Sequence, residues 1–302
     1  MPPRGPNPSR RMIWRHNANL AGLLFLLPAA VVILGLLGYP LGLGIWLSLT
    51  NQTVGQTGHF VGLANFENLV SDPVFRTAAF NTVLYTVVSI IFKYILGMIL
   101  ALLLNKRFRL SGLVRGLVLL PWVAPTVLTA MAWWWIFDPQ FSVLSWGLEQ
   151  VGIIHHNIDF LGAAWNARWS IIGVDIWRGT PFFAISFLAG LQTIPKTLYE
   201  AADMDGASPW QRFRHVVVPQ LSGITAIVVT FSAIFTFSDF ALVYVITHGG
   251  PENATQLLAT LAYQRGITGG NLSQGAAIAI YIVPILFVVT LISYFKVSRR
   301  KW

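Results

Sequence analysis

The chain is organised as long apolar runs separated by polar connections. Runs with few or no charges cover roughly residues 20–38, 79–104, 116–137, 170–191, 223–246 and 276–295. A helix needs about 20 consecutive apolar residues to cross the hydrocarbon core of a bilayer. Each run is too long and too apolar for the core-facing helix of a soluble protein, which carries a polar face. The pattern predicts an all-α integral membrane protein with six transmembrane helices.

Composition supports that class. Of 302 residues, 55% are hydrophobic and 10% are charged, and the mean hydropathy is +0.64. An ordinary soluble domain is about 25% charged. These values exclude a soluble enzyme, a disordered protein and a conventional nucleic-acid binder. The net charge of +9 and pI near 10.2 still need a location. The basic residues gather in alternate connections: Arg4, Arg10, Arg11 and Arg15; Lys106, Arg107, Arg109 and Arg115; Lys196, Arg212 and Arg214; Lys296, Arg299, Arg300 and Lys301. The other connections hold only Arg76, Arg168 and Arg265. Cytoplasmic loops are the ones rich in Lys and Arg, so both termini and the even connections are expected in the cytoplasm. The excess charge marks topology, and no nucleic-acid partner is implied.

Three regions follow. Residues 1–19, with four prolines by residue 8 and four arginines, read as a disordered basic cytoplasmic tail. Residues 20–296 form the membrane domain, and 297–302 form a short basic cytoplasmic end. No small-x-small cleavage pattern follows the first apolar run, so it reads as an uncleaved span. There is no cysteine, hence no disulfide, thiolate metal site or Cys nucleophile. His155, His156 and Asp159 do not have the spacing of a metal site. No catalytic constellation is assembled, and no catalytic, cofactor-binding or metal residue is assigned. Trp133, Trp134, Trp135, Trp165 and Trp169 suit an interfacial aromatic belt at the outer surface.

The cytoplasmic connection 192–222 is specified too closely for a passive linker. Pro195 can open a helix, Gly206 can supply the left-handed residue that ends it, and Ser208 with Pro209 and Gln211 makes a capping box for a second helix. Pro219 punctuates its end. The order Glu200-Ala201-Ala202, three residues, Gly206, nine residues, Val216-Val217-Val218-Pro219 resembles the EAA signature of permease subunits of binding-protein-dependent ABC importers. The family form ends Ile-x-Leu-Pro, and here both apolar positions are Val. Phe60-Val61-Gly62-Leu63-Ala64-Asn65-Phe66 and Thr247-His248-Gly249-Gly250-Pro251 are similar to external elements of the carbohydrate branch of that family; His248 stands where that branch has the first glycine of a Thr-Gly-Gly-Gly-Pro turn. Pro181-Phe182-Phe183 and Asp205-Gly206-Ala207-Ser208 also fit. The resemblance covers about residues 20–296.

The resemblance implies a type I importer permease for a carbohydrate or sugar derivative. It implies a coupling helix docked on an ATP-binding subunit, with Glu200, Ala201, Ala202, Asp205, Gly206, Arg212 and Arg214 as docking candidates. Arg212 and Arg214 read equally well as ordinary positive-inside charges. Two ATP-binding subunits, a second permease chain and an external substrate-binding protein are the implied partners, in a bacterial inner membrane. Gly62, Asn65, Gly249, Gly250 and Pro251 are candidates for contact with the binding protein. The chain has no Gly-x-x-x-x-Gly-Lys-Ser/Thr loop, so ATP and Mg are expected on the partner ATPases.

Lys93, Asp175, Arg178 and Asp239 fall within the apolar runs, where a charge costs roughly 2.5–3.5 kcal/mol on insertion scales. Asp175 and Arg178 are three residues apart and are expected to pair with each other on one helix. Lys93 calls for an interhelical partner, or serves as counter-charge to an anionic substrate. Asp239, among Phe235, Phe237, Phe240 and Tyr244, reads either as a structural polar contact or as a sugar-binding carboxylate. Asp239, Phe235, Tyr244, Lys93 and Trp134 are the substrate-path candidates. A secondary transporter or channel working without an ATPase is the alternative reading; it would keep the spans but have no use for the coupling loop.

Overall fold

The computed structural model describes residue 22 and residues 24–106 and 109–298. The basic tail 1–19 and residues 299–302 lie outside the described residues. Among the described residues the fold is helical, apart from one antiparallel bridge between Thr50 and Phe60. In chain order the elements are α1 (Leu24–Ser48), α2 (Ala64–Ser71), α3 (Pro73–Leu104), α4 (Ser111–Val123), α5 (Thr126–Ile136), α6 (Val143–Gln150) and α7 (Ala164–Thr193). There follow α8 (Lys196–Met204), α9 (Pro209–Gln220), α10 (Ser222–Phe237), α11 (Ala241–Thr247), α12 (Leu258–Tyr263) and α13 (Leu272–Ser298).

Four helices are long and apolar enough to cross a membrane: α1, α3, α7 and α13 within Leu272–Ile292. Two bent pairs raise the number to six if each is one span: α4 with α5, bent by 88°, and α9 with α10, bent by 66°. The runs 79–104, 170–191 and 276–295 lie inside α3, α7 and α13. Three expectations need correction. The first helix continues to Ser48, ten residues past the expected end, because Tyr39–Ser48 continues the helix through Pro40 near its start. The run 116–137 is broken at Ala124 (φ −61°, ψ 138°), because Pro125 pushes the preceding residue out of the α region. The run 223–246 is interrupted between Phe237 and Ala241, leaving Asp239 in an irregular segment.

The scaffold centres on α3 against α7. Phe183 and Phe187 of α7 lie fully buried against Met98, Ala101 and Leu104 of α3, with Leu221 and Val228 closing the group. A second cluster joins Tyr85, Ile171, Ile172, Leu242 and Leu257, and a third joins Leu69, Phe75, Phe237, Leu261 and Ile278. Along the long helices much of the exterior is apolar. On α1 no residue before Ser48 is buried, and Leu24, Phe25, Leu34 and Leu36 are exposed. Contiguous apolar exposure of this extent is untenable in water and expected in lipid or against partner helices.

Gly97 sets the closeness of α3 and α7. A Cβ there would overlap the Phe183 Cβ and sit 3.1 Å from the Ala184 backbone nitrogen. Gly97→Val is expected to destabilise the domain by about 1–3 kcal/mol through overpacking. A lowered thermal midpoint of the detergent-purified chain checks it; an unchanged midpoint would show that the helices separate at no cost.

Candidate functional site

Two regions carry chemistry. The first is the two-helix element α8–α9. Helix α8 starts after Pro195, which sits at its N-cap, one position earlier than its expected place inside the first turn. The helix ends as expected at Gly206, whose φ is +72°. The Ala207 amide donates to the Ala202 carbonyl at 2.9 Å and the Gly206 amide to the Asp203 carbonyl at 3.0 Å, so the turn satisfies carbonyls that the helix end exposes. The capping box forms: the Ser208 hydroxyl accepts from the Gln211 amide, and the Gln211 side chain accepts from the Ser208 amide at 2.7 Å. Arg212 reaches back to Asp203 at 2.5 Å and ties the two short helices together.

The docking candidates stand on this element. Glu200, Ala201, Asp205, Gly206 and Arg214 are exposed, while Ala202 and Arg212 are half-buried. Arg212 is engaged by Asp203 within the chain; Arg214 makes no ion pair among the described residues. Two strongly exposed apolar side chains accompany them, Met204 at 89% and Trp210 at 66%. Sequence reasoning passed over both, although apolar residues in a polar connection are a signal in themselves. Behind the element, Tyr94, Met98, Tyr199, Trp210 and Phe213 line an apolar groove of about 740 Å³. Burial there pushes the Tyr199 phenol above its usual value of 10.0.

The second region is polar and lies inside the helix packing. Lys93 of α3 is buried, and its Nζ donates to Asp175 Oδ2 of α7 at 2.6 Å and to Thr236 Oγ1 of α10 at 3.0 Å. The expected Asp175–Arg178 pair does not form. Asp175 is taken by the lysine from the facing helix, and Arg178 donates to the Thr126 hydroxyl at the start of α5. Gly179 makes room for the lysine stem, since a Cβ there would lie 2.5 Å from Lys93 Cε. Lys93 ends a stripe on α3 that the sequence reading missed. Asn81, Thr82, Tyr85, Thr86 and Ser89 are all buried, and their spacing of about four residues was the available signal.

The substrate-path candidates occupy different surroundings. Asp239 is buried and accepts the Tyr85 hydroxyl at 2.9 Å. Phe235 and Trp134 present exposed rings, 69% and 56% exposed. Tyr244 lies half-buried in an aromatic group with Phe240 and Tyr263.

The external candidates sit in two fastened turns. Gly62 has φ +61°, and Asn65 donates to the Ser48 and Thr50 carbonyls at 2.8 and 2.7 Å, pinning α2 to the end of α1. In the turn after α11, His248 adopts φ 52° and Gly249 φ 88°, so the left-handed conformation does not require glycine at 248. Gly249 does require it, because a Cβ would overlap the Gln256 side chain. Thr255 holds the turn through Thr247 Oγ1 and the Gly250 carbonyl, both at 2.7 Å. Pro251 is half-buried, and His248 and Glu252 are exposed beside it.

Lys93→Met leaves Asp175 a buried, unpaired carboxylate. It is expected to cost roughly 3–5 kcal/mol, whereas Lys93→Met with Asp175→Leu restores most of the loss. Denaturation of the purified variants measures both. A double variant no more stable than the single one would contradict a simple pair.

Most of the chain matches known proteins. Residues 93–301 match the family described as binding-protein-dependent transport system inner membrane component. A trehalose/maltose transport system permease protein, MalF, of Thermococcus litoralis is 34% identical over 279 residues, 92% of this chain and 93% of that protein. A sulfoquinovosyl glycerol transport system permease protein, SmoG, of Agrobacterium fabrum is 31% identical over 289 residues, 93% of this chain and 91% of that one. The fold is similar to a chain in the crystal structure of a bacterial ABC transporter involved in import of the acidic polysaccharide alginate, with TM-score 0.81, 22% identity and coverage of 97% and 100%. With its apolar helices and its capped α8–α9 element, the chain belongs to the family of inner membrane components of binding-protein-dependent transport systems.

Proposed function

We propose that this chain is one of two permease subunits of an ATP-driven importer for a carbohydrate or sugar derivative. The sugar class rests on the names of the relatives, which handle trehalose, maltose and sulfoquinovosyl glycerol. In this reading both bent pairs are spans, six helices cross the membrane, and both termini with α8–α9 face the cytoplasm. The basic tail 1–19 and the end 297–302 lie on that side.

The observation that carries the mechanism is the rigid α8–α9 element. Caps at both helices and the Arg212–Asp203 pair give it one shape, while Glu200, Met204 and Trp210 stay available to a partner. It docks on an ATP-binding subunit, and ATP with Mg is bound and hydrolysed there. Glu200 and Arg214 supply polar contacts, Ala201 allows close approach, and Asp205–Gly206 shapes the turn. Because α9 runs on into α10, closure of the ATPases moves α10 against α3 and α7 and switches the open side of the pathway. The turns around Gly62, Asn65 and Gly249–Pro251 present the outer face to the substrate-binding protein. Phe235 and Trp134, with their exposed rings, line the face shared with the second permease, and Lys93 and Asp239 hold the helices that flank it.

Purification from the native membrane in mild detergent is expected to recover an ATP-binding subunit and a second permease; recovery of the chain alone, active on an ion gradient, would refute the importer reading. The chain has no cysteine, so each introduced one is a sole thiol. Ala207→Cys is expected to label only from the cytoplasmic side and Asn253→Cys only from outside; labelling from the same side would overturn the topology. Gly206→Val forces a β-branched residue to φ +72°, where open space offers no other obstacle. It is expected to cut uptake at least tenfold while the complex still inserts, and normal uptake would remove the coupling role.

A further inference from the structure

Phe240, Tyr244 and Tyr263 form an aromatic group of unusual status in this fold. Ring centroids are 4.9 Å apart for Phe240 and Tyr244, 4.9 Å for Phe240 and Tyr263, and 5.2 Å for Tyr244 and Tyr263. His248 adds its ring 4.8 Å from Tyr244. Most aromatic side chains that shape the interior belong to one of the three buried clusters, as Tyr85, Phe183 and Phe237 do. None of these four does. They pack on each other and remain half-buried, with His248 exposed.

The hydroxyls are a second, separate observation. A tyrosine inside a protein ordinarily finds a partner for its O–H. Tyr85 donates to Asp239 and Tyr281 donates to the Phe66 carbonyl. The hydroxyls of Tyr244 and Tyr263, like those of Tyr94 and Tyr199, make no hydrogen bond among the described residues. Two phenols with unused hydroxyls at the edge of a half-buried aromatic group have the chemistry that a pyranose needs: the outer ring faces for its C–H face, and hydroxyls for its O–H groups. The site lies beyond the break in the helix at Asp239 and just before the turn at Gly249–Pro251, on the external side of the chain in the proposed topology.

We propose that Phe240, Tyr244 and Tyr263, edged by His248, form a stacking subsite that receives a pyranose ring on the external side of this permease. The proposal rests on the carbohydrate reading above. Phe240 and Tyr244 supply a stacked pair, Tyr263 closes one side of it, and the two phenols orient the sugar. Asp239 serves the subsite indirectly: it accepts the Leu242 amide in the first turn of α11, which carries Tyr244.

The test uses the assembled importer in nanodiscs without its binding protein, with maltose and trehalose as probes, together with uptake and ATP hydrolysis in proteoliposomes containing the binding protein. Saturation transfer from aromatic protons to the sugar C–H protons is read by NMR. The parent is expected to transfer saturation to one probe or both. Tyr244→Leu with Tyr263→Leu is expected to lower the transfer at least threefold and to lower sugar moved per ATP, with ATP hydrolysis retained. The Tyr244→Phe and Tyr263→Phe variants keep the rings; their transfer is expected to persist, while uptake falls about threefold for a lost hydrogen bond. Parental transfer and uptake in the leucine variant would overturn the subsite. Should the leucine variant fail to assemble, the phenylalanine pair decides, and its parental uptake would overturn the role of the phenols. A parent that neither binds nor moves a panel of sugars, yet couples another solute to ATP, would instead overturn the carbohydrate reading.

Discussion

The contact between Lys93 and Asp175 is the constraint on which the interior is arranged. A lone charge in the membrane core costs several kcal/mol. A pair at 2.6 Å with Thr236 as a second acceptor removes most of that cost and fixes three helices in one register. The glycines follow from it. Gly179 leaves the corridor that the lysine stem crosses, and Gly97, one turn further along α3, lets the backbones approach closely enough for the pair to close. The apolar clusters at either end of the α3–α7 contact then pack around a contact whose geometry is already set. Hydrophobic packing holds helices together in water, but in lipid it discriminates poorly, and polar contacts with small residues carry more of the specificity.

The same logic explains how, in the proposed topology, the α8–α9 element can act on the membrane interior. Helix α8–α9 is internally fastened by its capping box and by the Arg212–Asp203 pair, so a load on it moves it as a unit. The 66° bend at Leu221 is where that unit meets α10. Leu221 is fully buried, which makes the bend a packed joint. Thr236 lies near the far end of α10 and touches Lys93. In the proposed mechanism the polar contact therefore reports the position of the coupling element, through one covalently continuous helix pair.

Much of the fold was legible in the sequence because hydropathy and local capping are short-range. The long runs, the alternation of basic connections and the two-helix element at 192–222 follow from neighbouring residues alone, as do the left-handed turn at Gly206, which lacks a Cβ, and the cap made by the Ser208 hydroxyl. What escaped was set by partners distant in sequence. Asp175 and Arg178 are spaced to pair, yet Lys93, 82 positions before Asp175, competes for the same carboxylate. The polar stripe on α3 was hidden within an apolar average. Apolarity alone does not reveal a bend, so the break at Ala124 had to be read from Pro125, and the gap around Asp239 from tertiary packing. At the turns around Asn65 and Gly249, the Asn65 amide is used in fastening the loop and Gly249 is packed against the Gln256 side chain, while the neighbouring His248 and Glu252 are exposed.

The distribution of breaks argues for a division of labour. The helices α3 and α7 run through their spans without interruption, carry the buried ion pair and pack most extensively on each other. The interrupted elements, α4 with α5 and α9 through α11, pack around them: α4 against α7, α5 against α11 and α10 against α3. A straight helix resists bending along its whole length, whereas an interrupted one changes angle by rotating a few torsions at the break. An importer must open alternately on two sides without exposing its backbone to lipid. In the proposed mechanism, breaks in the surrounding elements and a charged pair on the uninterrupted ones let the angle of α10 change at Leu221 and near Asp239 while Lys93 stays paired with Asp175. Of the contacts of Lys93, the one to Thr236 is then the contact that the cycle would stretch, since it alone joins the rigid pair to a jointed helix.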